Sequence, residues 1–343
     1  DAHQETFLAI NRPTDIDVDG SGRMYVSSWQ GGGFSYSHPN VGFVVQLTPK
    51  NHKPEPFPDV TKLSDRELYA LLTGPSQVQN LHAQLEILRR GRNEQRTKAL
   101  VKLASDSGIP LAGRVAAIFT LKQLDGPTAT ANLLKLSEQP NITEFALRAL
   151  TDRSSQLDNI DSASFVRALK SGDLRVRAQA LVSLGRLGDA SAARAILPHA
   201  AAPRLAKQNE PNPAAVIPHL ATRALVALKP VDTLLAALDT DHQATALSVL
   251  KYIHDDKVVD TLISRAKAKP DPATFATLVR LYHREGDYPQ GWWGTRPDTS
   301  GPYFDRAKCS GSDRIESGLK AALGQAPKET VDLVKAVLTR HKV

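Results

Sequence analysis

The feature that most constrains this chain is a recurring pair, an alanine followed four residues later by a leucine. It occurs at Ala117 and Leu121, Ala180 and Leu184, Ala221 and Leu225, and Ala246 and Leu250. Residues four apart share a helix face, and a small side chain beside a large one lets two helices approach closely. The stretch Asp173–Asp189 carries the pattern most clearly, with Val176, Ala180, Leu184 and Leu187 on one face. Another apolar stretch, Phe145–Leu150, falls between the first two pairs, and the recurrences lie roughly 25 to 41 residues apart. That period belongs to two-helix repeats, in which each pair buries its apolar face only against its neighbours. From Leu63 onward Gly, Pro, Asp or Asn breaks the helical pattern about every 15 residues. The expectation is a mostly α fold of seven or eight stacked helix pairs between Ser64 and His341. Its rhythm fails at Ala200–Pro213, where Pro203, Pro211 and Pro213 imply a loop that extends one repeat.

The first 48 residues follow another period. Thr14–Asp19 alternates, Gly20, Ser21 and Gly22 turn, and Arg23–Ser28 alternates again, which reads as a hairpin. Gly42–Thr48 is a third candidate strand, and Pro49 to Pro58 supplies a proline-punctuated linker. The chain thus divides into a β segment (1–48), a Pro-rich linker (49–62) and a helical region (63–343), with strands expected only before about Pro58. Three strands make no closed core, so they should pack on the first helices or pair with another chain. Within the helical region, 285–312 is a long polar and aromatic insertion, and helices near Ser312–Leu323 and Lys328–Thr339 close the sequence.

Composition narrows the function classes. With 41% hydrophobic and 23% charged residues the chain has the make-up of an ordinary globular protein. No apolar run approaches the roughly 20 residues of a membrane helix. The formal charge of +7 is a mild basic bias, concentrated in the middle of the chain. The single cysteine, Cys309, excludes an internal disulfide and a multi-cysteine zinc site, and with no partner nearby it reads as an incidental thiol. The ten histidines are scattered without the spacing that puts two on one helix face. Asp15, Asp17, Asp19 and Gly20 have the spacing that opens a calcium loop, but Val26 stands where such a loop ends in Glu. An alternating strand entering an Asp-Gly turn accounts for the same residues. Gly31–Gly33 has no helix behind it and so no phosphate cradle. No catalytic residue, metal site or cofactor is assigned.

Two groups remain. Arg89, Arg90, Arg92, Arg96, Lys98 and Lys102 form the densest basic cluster, with Glu86 and Glu94 nearby. With aromatics only 6% of the chain, the stacking platforms of a nucleic-acid surface are missing, and a solvated helix-loop face is the expectation. Trp292, Trp293, Arg296, Asp298 and Tyr303 gather two of the three tryptophans with an arginine and a carboxylate inside the insertion. Such a group suits a sugar ring or a protein interface, or else the loop folds back and its tryptophans fill a gap over the last repeats. These five residues are the candidate ligand- or partner-binding site.

The sequence Asn11–Trp29 resembles the last blade of a sorbosone or glucose dehydrogenase type β-propeller. The chain as a whole resembles the PVC-type haem-binding multidomain proteins, in which such a propeller precedes HEAT repeats and a cytochrome c module. Leu63–Leu72, Leu81–Arg90 and Arg296–Tyr303 carry the rest of the likeness. The resemblance implies a HEAT-like α-solenoid behind a propeller-blade remnant, cut from a longer, secreted or periplasmic protein. No Cys-x-x-Cys-His occurs in the chain, so neither haem nor dehydrogenase chemistry is carried onto its residues. The functional expectation is a non-catalytic scaffold and interaction region. Its partner would be another protein, or the remaining domains of the parent, seated on the concave face, with a carbohydrate also conceivable at the aromatic loop. The alternative is a segment of a quinone- or haem-linked sugar or alcohol dehydrogenase whose active site lies outside this chain.

Overall fold

The structure, a computed structural model, describes residues 3–29, 41–48, 50–51, 53, 56–201, 215–285 and 306–341. The fold is mostly α, built of HEAT-like helix pairs, with a small antiparallel sheet near the start. The chain divides into two compact units, Asp1–Leu150 and Thr151–Val343. Residues 202–214, which hold most of the proline-rich break, lie outside the described residues.

In the first unit, β1 (Pro13–Val18), β2 (Met24–Ser28) and β3 (Phe43–Leu47) form a meander in the order β1-β2-β3. The register sets Ile16 opposite Val26 and Val26 opposite Val45, with Val18, Met24 and Leu47 in line two residues on. Alternation therefore gathers these apolar residues on one face and leaves Asp15, Asp17, Tyr25 and Gln46 on the other. Only Val26 is buried among these apolar residues, while Ile16 is 59% exposed. The turn is anchored through Phe57, whose ring packs against Gly20 and meets the His82 ring edge-on at 4.7 Å.

Three helix pairs follow: α1 (Asp65–Leu72) with α2 (Gln77–Arg89), α3 (Glu94–Ser105) with α4 (Leu111–Asp125), and α5 (Thr130–Ser137) with α6 (Thr143–Leu150). Side chains cap the helix starts: Ser64 and Glu67 close a reciprocal capping box on α1, and Ser76 and Asn93 begin α2 and α3. The ends of α1 and α3 are satisfied from the second helix of a pair. The Asn80 amide donates to the carbonyls of Leu71 (2.5 Å) and Gly74 (3.0 Å), and Arg114 Nε donates to that of Ala104 (2.8 Å). The second helices α2, α4 and α6 stack in sequence order, as do the first helices α3 and α5. Ala117, Ile118 and Leu121 are fully buried at the centre of that stack.

The second unit continues the scheme with α7 (Ala163–Ala168), α8 (Leu174–Leu187), α9 (Ala193–Ile196), α10 (Val216–Leu228), α11 (Val231–Ala236), α12 (Gln243–Leu250), α13 (Asp256–Ala268) and α14 (Pro272–Leu281). The first helices α9 and α11 are short and run on into single 3-10 turns. The second helices α8, α10, α12 and α14 stack in order, and Ala180, Leu184, Ala221, Leu225, Ala246 and Leu250 are all fully buried between them. Closing the chain, α15 (Ser312–Leu323) packs on α13 and α16 (Lys328–His341) on α14. Among the described residues this makes three pairs in the first unit and five in the second.

One sequence expectation fails. Strands do occur after Pro58: β4 (His283–Glu285) pairs antiparallel with β5 (Arg306–Lys308), His283 opposite Lys308. Three residues per strand are too few for an alternation to show in sequence. The pairing comes instead from the need to bring both ends of a long insertion back to one place. Ser312 Oγ fastens that place by donating to the Tyr282 carbonyl at 2.6 Å.

The stack depends on close approach. A Cβ built on Gly185 of α8 would lie 3.1 Å from Ala224 Cα of α10, whereas one on Gly172 would meet nothing within 4 Å. Gly185→Val should therefore lower the unfolding free energy by about 1–3 kcal/mol, the usual range for overpacking. Gly172→Val should leave it nearly unchanged, as read by urea denaturation of the two variants.

Candidate functional site: grooves along the second helices

The candidate loop site predicted from sequence, Trp292, Trp293, Arg296, Asp298 and Tyr303, lies outside the described residues, within 286–305. What the structure does place is the base of that loop. Lys308 Nζ stands 5.4 Å from the centre of the Tyr282 ring, and the Cys309 thiol faces the Leu281 carbonyl at 3.6 Å.

The basic cluster is only in part the solvated face expected of it: Arg89, Arg92, Lys98 and Lys102 are exposed, but Arg90 and Arg96 are drawn inward. Arg90 and Arg96 are only 17% and 14% exposed. Arg90 donates to Glu86 Oε1 (2.7 Å), Asp65 Oδ1 (2.9 Å) and the Leu63 carbonyl (2.7 Å). Arg96 donates to Asp65 Oδ2 (2.9 Å) and the Gly91 carbonyl (2.8 Å). Arg92 and Thr97 both donate to the buried carboxylate of Asp125. The planar guanidinium forks fasten the start of α1 to the turn between α2 and α3, where a lysine could not reach as many acceptors. Sequence spacing hid this because Asp65 and Asp125 lie some 30 residues from their partners. The carboxylates respond accordingly. The Arg89 and Arg90 guanidiniums hold Glu86 down to about 2, and Asp65 is lowered because its bonds to Arg90 and Arg96 outweigh the opposing effect of burial.

Asp19 performs the turn role. Its carboxylate accepts from the Ser21 hydroxyl (2.7 Å) and backbone N–H (2.9 Å), the Arg23 N–H (3.0 Å) and the Tyr25 hydroxyl (3.1 Å), bonds that lower it to about 2. Asp15 and Asp17 each accept the next residue's N–H. No group of three or more potential metal ligands occurs among the described residues.

Concavities lie along the second helices. In the first unit, α2 and α4 flank a groove of about 320 Å³ lined by Leu81, Gln84, Val115, Ala116 and Phe119. Leu81 and Leu85, one turn apart on α2, are 51% and 53% exposed, and Arg148 of α6 sits 5.9 Å from the Phe119 ring centre. In the second unit a groove of about 510 Å³ runs between α12 and α14 and reaches Val337 of α16. Its floor is Leu247, Ala273 and Ala276, and at its end Lys251 Nζ and the Arg280 guanidinium lie 5.1 Å and 5.5 Å from the centre of the Tyr252 ring. Ser248 and Thr277 also line the second groove, and their hydroxyls donate to carbonyls of their own helices, Thr245 (2.7 Å) and Ala273 (2.9 Å), so each groove offers a binding surface of mixed apolar and polar lining.

No family model matches this sequence, and no curated protein does. Solved structures similar to it include YibA of Escherichia coli, at 14% identity over 82% of this chain and 94% of that one, with a TM-score of 0.40. Another is the complex of CpcE and CpcF of phycocyanin lyase from Nostoc sp., at 15% identity over 81% and 99%, with a TM-score of 0.35. At these values the description of the fold rests on this chain's own helices.

The ion pairs of Glu86 make a pH signature. A carboxylate held at about 2 against an ordinary 4.5 contributes stability that is complete above pH 4.5 and lost as the pH falls from there towards 2. Asp65, lowered in the same way, adds to the loss. The melting temperature should therefore fall through that window. Glu86→Gln should melt lower than the parent at pH 7 and show a shallower decline on acidification, as followed by circular dichroism.

Proposed function

We propose that this chain is a non-catalytic scaffold region of a larger protein, and that partner proteins sit on the grooved face of its second helices. The supporting observation is a division of labour between the two helix layers. Three of the successions of first helices are tied by ion pairs: Arg96 to Asp65 across α3 and α1, Lys257 to Asp232 across α13 and α11, and Arg314 to Asp256 and Asp260 across α15 and α13. Both helix-lined grooves lie instead on second helices, where half-exposed Leu81 and Leu85 and the Tyr252 cluster are found. Exposed apolar side chains gathered along a groove mark interaction surface.

The sheet supports placing this region in a longer chain. Its apolar face is open, with a groove of about 610 Å³ between Phe7, Ile16, Met24 and Leu47, and Phe7 is 82% exposed. Neighbouring β structure of a parent protein would cover it, in keeping with the resemblance of Asn11–Trp29 to a propeller blade and with the secreted or periplasmic location that resemblance implies.

Two measurements test the reading. Offered sugars or alcohols with a dye acceptor, the purified chain should show no turnover; steady reduction of the dye would assign the chemistry to this segment. A photo-crosslinking amino acid at position 85 in the native host should give discrete protein adducts, while the same group at position 102, exposed on α3, should not. Equal labelling from both positions would remove the second-helix face as the partner surface.

A further inference from the structure

We propose that the groove between α12 and α14 binds an acidic peptide segment of a partner protein, its carboxylates held by Lys251 and Arg280 and its apolar side chains lying on the floor beside Tyr252. This rests on the scaffold reading above and gives it a ligand class. The argument begins with charge. Lys251 and Arg280 both rim the groove, and among the described residues neither forms an ion pair with a carboxylate. The described acids at the starts of the neighbouring helices α13 and α14 are already engaged. Asp255 caps α13 through the N–H groups of Lys257 and Val258, and Asp271 caps α14 through those of Ala273 and Thr274. Asp256 and Asp260 both take Arg314. Among the described side chains, two cations on facing helices at one end of the concavity are thus left without a carboxylate partner, a charge pattern that an anionic partner complements.

The arrangement is also preorganised. Arg280 Nη1 donates to the His283 carbonyl at 3.3 Å, an acceptor shared with His254 Nε2 at 3.0 Å, so the end of the guanidinium is fixed at the base of the β4–β5 ladder. Lys251 and Arg280 both pack against the Tyr252 ring, which keeps their positive ends together, and the ring itself is 43% exposed. Among the described residues the Tyr252 hydroxyl has no hydrogen-bond partner and is available to donate to a carboxylate. Tyrosine and arginine are among the residue types that dominate protein interfaces.

The floor decides between classes of anion. Leu247, Ala273, Ala276 and Val337 offer an apolar strip of helix surface. Leucine or valine side chains spaced between acidic residues would bury against it, while a nucleic acid would have one ring to stack on and no use for the remainder. An acidic peptide with interspersed aliphatic residues satisfies both the rim and the floor.

The probe is a fluorescein-labelled twelve-residue peptide of repeated Glu-Glu-Leu triplets, titrated into the full chain by fluorescence anisotropy. Saturable binding that weakens with added salt is expected, and a Lys-Lys-Leu counterpart should not bind. Lys251→Glu with Arg280→Glu should weaken binding at least tenfold or abolish it, and Tyr252→Ala should weaken it several-fold. Lys98→Glu with Lys102→Glu, a charge reversal of equal size in the first unit, should leave it unchanged. The melting temperature of each variant is measured alongside, and Lys251→Gln with Arg280→Gln, which adds no negative charge, should give the same loss in a chain that melts normally. The proposal is overturned if the acidic peptide fails to bind, if both charge reversals weaken it equally, or if a single-stranded oligonucleotide displaces it at lower concentration. Failure here with discrete adducts at position 85 leaves the scaffold standing and removes only the acidic ligand; loss of both removes the scaffold reading as well.

Discussion

A pair of helices of four to fifteen residues has an apolar face that it cannot cover by itself, and everything else in this chain follows from how that face is closed. Within each unit one pair is covered by the next, so each core is a line of local interfaces rather than one centre. The interfaces are close because small residues stand where helices meet. Ala180, Ala221 and Ala246 are fully buried, Gly185 lies against the backbone of Ala224, and Gly113 at the start of α4 lies against Thr73 at the end of α1, where any Cβ would come within 2.9 Å of Thr73 Cα. Close approach in turn leaves little room for water, so the polar atoms at helix ends must be satisfied by protein. Asn80 and Arg114 do this for the carbonyls that end α1 and α3.

The charged residues follow the same geometry. At α1–α3, α11–α13 and α13–α15 the neighbouring surfaces of successive first helices are bridged by Asp and Arg or Lys, and in the first unit the bridge is half-buried and multidentate. An arginine pair such as Arg90 and Arg96 around Asp65 fixes the relative position of three chain segments at once, which apolar packing of short helices does less sharply. Removing one partner there would strand the rest in a poorly solvated place. This is why a cluster that looks in sequence like surplus positive charge contributes little free charge to the surface around it.

The helical region was legible because its periodicity is strong: the four Ala-Leu pairs all fall on second helices and all are buried. The closing helices Ser312–Leu323 and Lys328–His341 were legible for the same reason, each preceded by Gly or Pro. The hairpin could be read from alternation and from Asp19 in its turn. What could not be read has a common cause in distance along the chain. The bonds of Arg90 and Arg96 to Asp65, of Arg92 to Asp125 and of His254 to the His283 carbonyl, and the β4–β5 ladder, join residues between 20 and 40 apart with no periodic signal linking them. The grooves escaped notice for a different reason. Leu81 and Leu85 fit a buried face as well as an exposed one, and only the packing of α4 beside α2 tells which they occupy.

Placing binding surface on second helices has a physical rationale beyond this chain's particular residues. Several first helices are short or interrupted, α9 having four residues and α11 six, so their outward faces change direction too often there to line a continuous strip. Second helices of eight to fifteen residues run side by side, and the furrow between two of them is a straight trough whose floor is set by alanines and whose rim is set by whatever projects at the helix ends. At α12 and α14 those projections are Lys251, Tyr252 and Arg280. Because the capping aspartates that start α13 and α14 are spent on backbone N–H groups, the residues that make the helices begin cleanly are also the ones withheld from neutralising the rim. The same sequence economy that terminates the helices therefore leaves a cationic edge on the groove.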